Sequence, residues 1–198
     1  MSNPLLEQHE LPPFSRVEPL HVEPAIRQLI ERTQQGIDEL LASNEHYSWE
    51  NLLQPIEDME DELAKAWSPV SHLNSVRNND ELREAYNACL PLLSEYSTWI
   101  GQHSALCAAY QQIANREDFS SLSAAQGKAI ENALRDFRLA GVSLPPEKKQ
   151  EYGELRKRLS DRGSKFGENV LDATNAWSRL STLEQLGGLP ETALASAR

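Results

Sequence analysis

Apolar residues recur along the chain at three- and four-residue intervals, the spacing that lines one face of an α-helix. The clearest run is Ala25, Ile26, Leu29, Ile30, Thr33, Ile37, Leu40 and Leu41. It predicts a first helix that starts between residues 19 and 24 and ends near residue 43. Proline is tolerated at such a start because the missing N–H would have no helical acceptor. Ser48 is placed to cap a second helix over 49–67, striped by Leu52, Leu53, Ile56, Met59, Leu63, Ala66 and Trp67. Pro55 predicts a bend near 51–55, and the segment 68–75 reads as a break. Asn79 or Asp80 caps a third helix to about residue 100, with a kink expected at Pro91. A fourth follows Gly101 and reaches about residue 115. Ser123 opens a fifth that stops at Gly141. Leu144-Pro145-Pro146-Glu147 opens a long sixth, whose Tyr152, Leu155, Leu159, Phe166, Val170, Leu171 and Trp177 are expected to face inward.

No period-two run marks a strand. The pattern therefore predicts an all-α fold: an antiparallel multi-helix bundle of about six helices with an extended N-terminal arm. Residues 1–18 hold Pro4, Pro12 and Pro13, have no period, and form the arm. Leu5, Leu6, Leu11, Phe14 and Val17 give it apolar anchors for packing on the bundle, which spans 19–180. Residues 181–198 hold a short turn from Thr182 and Leu183, a Gly187-Gly188 stop, and the start of a further helix near Pro190. That helix would be cut short after about two turns, too few to hold alone, so the chain is expected to be a fragment.

Composition narrows the function classes. The chain carries 19 Lys and Arg against 30 Asp and Glu, a net charge of −11. That balance disfavours nucleic acid, whose phosphates need a basic face, and anionic membrane surfaces. No run approaches the eighteen apolar residues of a membrane span, and the N-terminus lacks the basic and apolar regions of a secretory signal. The expected compartment is the cytoplasm, with Cys89 and Cys107 as reduced, inert thiols. Glu57, Asp58, Glu60, Asp61 and Glu62 form an acidic cluster. Lys148, Lys149, Arg156, Lys157, Arg158, Arg162 and Lys165 form a basic stretch. Both are expected to be solvated helix faces, or else to meet each other or a partner.

Catalytic signatures are missing from the sequence. No two of His9, His21, His46, His72 and His103 are four residues apart, so no H-E-x-x-H zinc motif exists. The cysteines have no ligand spacing. No nucleophile elbow or phosphate loop occurs, and the Glu-x-x-His pairs of a di-metal bundle are absent. No catalytic and no metal residue is assigned. Trp49, Trp67, Trp99 and Trp177 are read as core packing, and His103, just after Gly101, as a residue that shapes a helix start.

Three stretches go further. The first is Tyr47-Ser48-Trp49-Glu50-Asn51-Leu52 with Ser68-Pro69-Val70-Ser71-His72-Leu73-Asn74-Ser75-Val76. The second runs from Glu81-Leu82-Arg83-Glu84-Ala85-Tyr86 through Leu90-Pro91-Leu92-Leu93 to Thr98-Trp99. The third joins Asn132-Ala133-Leu134-Arg135-Asp136-Phe137, Phe166-Gly167-Glu168-Asn169-Val170-Leu171-Asp172 and Leu186-Gly187-Gly188-Leu189-Pro190-Glu191. With the openings Asn3-Pro4-Leu5-Leu6 and Glu10-Leu11-Pro12-Pro13-Phe14, they resemble the N-terminal part of the thimet oligopeptidase family of zinc metallopeptidases. The resemblance implies a helical enzyme with two lobes around a deep channel and zinc at its floor, held by a motif that has no position in this sequence. This segment would then be a channel wall, inactive alone, that admits short unfolded peptides and excludes folded proteins. Its partners would be short peptides, including cleaved signal peptides, and a C-terminal catalytic domain. Zinc would belong to the full-length protein. Within that reading, the 68–75 break is the candidate channel-facing loop, with His72, Asn74 and Ser75 as candidate substrate contacts, or else a plain interhelical connection. The alternative function is a free-standing helical domain that binds peptides or a partner helix without catalysis.

Overall fold

The computed structural model describes residues 3–7, 9–182 and 184–196. Leu183, Ala197 and Arg198, which belong to the predicted tail, lie outside them. Among the described residues the fold is all-α, with no strand. The α-helices are α1 (Pro19–Ser43), α2 (Gln54–Val76), α3 (Asp80–Gly101), α4 (Ser104–Ala114), α5 (Ala124–Leu139), α6 (Pro146–Ala176) and α7 (Glu191–Ser196). The chain divides into two units, Met1–Arg162 and Gly163–Arg198.

In the first unit α1 serves two cores. Its first half packs Val22, Ala25, Ile26, Leu29 and Ile30 with Leu63, Ala66 and Val70 of α2, Leu82, Cys89 and Tyr96 of α3, and Leu5 of the arm. Its second half sends Ile37 into a cluster with Leu52, Leu53 and Ile56, Leu106, Ala109, Tyr110 and Ile113 of α4, and Ile130 and Phe137 of α5. This is the helical stripe at work: the residues three and four apart are the buried ones.

The helix ends use the residues that the sequence offered as caps. Ser48 Oγ accepts from Asn51 N at 3.3 Å while Asn51 Oδ1 accepts from Ser48 N at 2.8 Å, a reciprocal box. The same exchange joins Ser123 and Gln126. Asn79 Oδ1 accepts from Leu82 N at 2.8 Å. His103 Nδ1 accepts from Leu106 N at 3.0 Å, which gives that histidine its structural role. Gly141 closes α5 at φ +80°. Gly141 N donates to Arg138 O and Val142 N to Phe137 O, the paired bonds of a left-handed helix stop.

Three local expectations are corrected. First, the helix that Ser48 caps does not open as an α-turn. Trp49–Leu53 is a π-helical turn, closed by Gln54 N donating to Trp49 O, and Pro55 sits in the first turn of the α-helix that follows. Second, 68–75 is not a break. It forms the last turns of α2, because Pro69 and Val70 are buried in the core and that burial outweighs the backbone bond Pro69 cannot make. Third, α6 does not turn Leu155 and Leu159 inward. Within the first unit Lys149 Nζ reaches Gln102 O and Ser104 Oγ at 3.2 and 3.3 Å, a side chain on Gly153 would meet Thr98 at 3.7 Å, and Lys157 Nζ lies 3.8 Å from Glu95. Residues 149, 153 and 157 are four apart and share one face. Leu155 and Leu159 point elsewhere and are 54% and 63% exposed.

The second unit holds the later turns of α6, a turn region, and α7. None of its described residues is buried. Phe166 and Trp177 are 71% and 73% exposed, so Trp177 is not a core tryptophan, unlike the half-buried Trp49, Trp67 and Trp99.

Candidate functional site

The candidate residues sit on the last turns of α2, where the chain corners into α3 and the arm passes by. The arm is held there by Asn3 Nδ2 donating to His21 O at 2.8 Å and by buried Pro4 and Leu5. It also brings Phe14 to His72, ring centroids 5.4 Å apart. His72 is exposed; Asn74, two residues on, is half-buried. Asn78 Nδ2 donates to Asn74 Oδ1 at 2.7 Å and to Asn74 O at 3.0 Å, and Asn78 Oδ1 accepts from Arg83 Nε at 3.0 Å. Ser75 Oγ donates back to Ser71 O at 3.0 Å.

Chemically, Asn78 satisfies the end of the helix by donating to the Asn74 carbonyl, while Ser75 back-bonds to Ser71 O one turn earlier. Carbonyls of the last turn have no partner within the helix, and side-chain donors fill that need. His72 and Phe14 are brought together as a surface pair from distant parts of the sequence. The corner can offer ring and amide contacts to a ligand.

A second polar feature escaped the sequence reading. Most of the acidic cluster is solvated as expected: Asp61 pairs with Lys65 at 2.5 Å, Glu62 with Arg32, and Asp58 accepts from Gln54. Glu60 instead turns into the seam between α2 and α3, where Tyr96 donates to its carboxylate. Burial pushes the Glu60 pKa up; the Tyr96 bond opposes that shift and the charge of Glu57 adds to it. Burial, and then the Glu60 bond, raise the Tyr96 phenol. Trp99 stacks on Tyr96 with centroids 6.1 Å apart and meets His103 edge-on at 4.9 Å. The signal in the sequence was the helical phase: Glu60 lies four residues after Ile56 and three before Leu63, between two buried positions.

An open depression of about 390 Å³ is lined by His46, Tyr47, Gln112 and Arg116. Arg116 spans it structurally. Its Nη1 donates to Tyr47 O at 3.0 Å, and Nε and Nη2 clamp both Asp118 oxygens at 2.7 and 2.6 Å. That bond from Arg116 lowers the Asp118 pKa. Cys89 is buried, which pushes its thiol up to about 11 and keeps it protonated at neutral pH. Among the described residues no three His, Cys, Asp or Glu side chains are placed to hold one metal ion.

These features define a helical scaffold whose polar side chains serve caps, corners and seams. The model of the Neurolysin/Thimet oligopeptidase N-terminal domain matches residues 26–149, and the chain belongs to this family. It is 51% identical to Oligopeptidase A of Escherichia coli (strain K12), 53% to that of Haemophilus influenzae and 50% to that of Salmonella typhimurium. Each match covers all of this chain and 29% of the relative, so the chain spans less than a third of the length of these proteins.

Proposed function

We propose that the chain is the N-terminal wall of the substrate channel in a zinc-dependent oligopeptidase of the cytoplasm, one that hydrolyses short unfolded peptides, including cleaved signal peptides. The observation that carries this reading is identity of 50–53% along the whole chain to proteins named Oligopeptidase A, within only 29% of their length. Such identity over every helix supports a shared role for the segment, and the peptidase chemistry then belongs to the longer polypeptide. The zinc in this reading would be held by the longer polypeptide, since no three metal-ligating side chains converge among the described residues. The wall's contribution is exclusion and contact. Helices pinned by two cores hold a fixed surface, and fixed surfaces discriminate by size at low cost in ordering entropy. His72, Asn74 and Ser75 are the proposed peptide contacts, with Phe14 beside His72.

The test is a quenched-fluorescence peptide assay on the longer protein carrying His72→Ala. The reading expects a raised KM for short peptides with kcat little changed, because uniform binding is lost. An unchanged KM removes His72 from the channel, and a longer protein that cleaves no peptide at all ends the peptidase reading.

A further inference from the structure

His103 stands where several helices of the first unit converge. It follows α3, opens α4, and its side chain is only 16% exposed. Beside it, Gln102 Nε2 donates to Ala140 O at the end of α5, and Lys149 of α6 donates to Gln102 O and Ser104 Oγ. The indole of Trp99, which packs against both cores, meets the imidazole edge-on at 4.9 Å. The two ring nitrogens have different duties. Nδ1 accepts from Leu106 N at 3.0 Å, and an accepting nitrogen must carry a lone pair. Nε2 lies 3.4 Å from Asp38 Oδ1 of α1, where an N–H suits the carboxylate. Together they select one form of the ring, neutral with its hydrogen on Nε2. A second proton can enter only at Nδ1. It would set a donor against the Leu106 N–H and, by charging the ring, make Asp38 a full ion-pair partner.

We propose that His103 is a proton-operated latch: neutral, it caps α4; charged, it leaves the Leu106 amide for Asp38 on α1. The sign follows from the lone pair. The cap is present while the ring is neutral and is lost as pH falls, and imidazole is the side chain whose ordinary charge change lies between about pH 5 and 8. Asp38 favours the charged ring. Lys149, bonded to the residues on either side of His103, opposes it. Cys107, one turn along α4, adds no charge, because burial pushes its thiol up. Glu60 lies two aromatic rings away, past Trp99 and Tyr96. The element that responds is the first turn of α4, whose Leu106 is buried in the second core.

The experiment uses the 198-residue chain. Long-range proton–nitrogen NMR of the His103 ring at about pH 8 should find the hydrogen on Nε2 and a bare Nδ1. Hydrogen exchange at the Leu106 amide, corrected for the intrinsic rate, is then followed from about pH 8 to pH 5. Protection should fall about five-fold, the order of effect expected for a lost helix cap. His103→Asn keeps a capping acceptor that does not titrate and should hold protection flat. Asp38→Asn removes the partner of the charged ring, so the fall should move to lower pH. The reading is taken at Leu106 rather than from global stability because His21 Nδ1 accepts from Glu18 N in the same way, at 3.1 Å. A hydrogen on Nδ1 at the higher pH overturns the proposal. So does a fall in His103→Asn that matches wild type, or a profile in Asp38→Asn that does not move. A loss shared by the amides of all five helices from α1 to α5 is general unfolding and overturns it as well.

Discussion

Tyr96 donates its phenolic hydrogen to the Glu60 carboxylate across the seam between α2 and α3. The bond gives a half-buried charge its partner, and both groups titrate accordingly. Glu60 holds its proton more tightly in the folded chain than at its ordinary value of 4.5. Its contribution to stability is therefore full in acid and is lost as pH rises from 4.5 through the folded value. Urea unfolding of wild type and Glu60→Gln across that window should show wild type losing stability relative to the variant. A difference that stays flat with pH would contradict the assignment.

Removing the donor has its own signature. Tyr96→Phe leaves Glu60 half-buried without its hydrogen bond, at a cost of about 1.5–3 kcal/mol near neutral pH. The loss should shrink in acid, where a protonated Glu60 no longer needs a donor for a full charge. Denaturant midpoints at two pH values check it.

A close approach between helix ends predicts a third effect. A Cβ added at Gly101 would lie 2.7 Å from Ala140 Cβ, beside the bond from Gln102 Nε2 to Ala140 O at 3.0 Å. Overpacking of this kind costs about 1–3 kcal/mol, more than the roughly 0.5–1 kcal/mol that Ala gains over Gly in a helix. Gly101→Ala should lower the melting temperature.

The two classes of apolar residue should separate cleanly. Ile26→Ala and Ile37→Ala, at fully buried positions of α1 in the two cores, should each cost about 2–5 kcal/mol. Leu155→Ala and Leu159→Ala, on the exposed flank of α6, should stay within about 0.5 kcal/mol in the 198-residue chain. Chemical denaturation of the four variants decides it.

That contrast also shows what could be read from the sequence. The helices of the first unit were legible through their apolar stripes, reinforced at some of them by a capping residue or a glycine stop. Ser48, Asn79, Ser123 and Gly141 all act where local chemistry placed them. Pro69 misled because its local cost is visible in sequence while the burial that outweighs it is tertiary. The α6 leucines misled for a different reason. A stripe announces that a face is apolar but not which surface will meet it, and here Lys149, Gly153 and Lys157 form the face toward α3. Of the candidate site, the sequence supplied His72, Asn74 and Ser75 but not their neighbours. Phe14 is 58 positions from His72, and no local pattern joins them.

The central claim is that this chain is the non-catalytic wall of a longer oligopeptidase. It is tested most directly by cleavage of a quenched short peptide, with and without a metal chelator, by the 198-residue chain and by the product of the continued reading frame. The account predicts chelator-sensitive cleavage by the longer protein and none by the short chain. Robust cleavage by the 198 residues alone, or no cleavage by the longer protein, would contradict it.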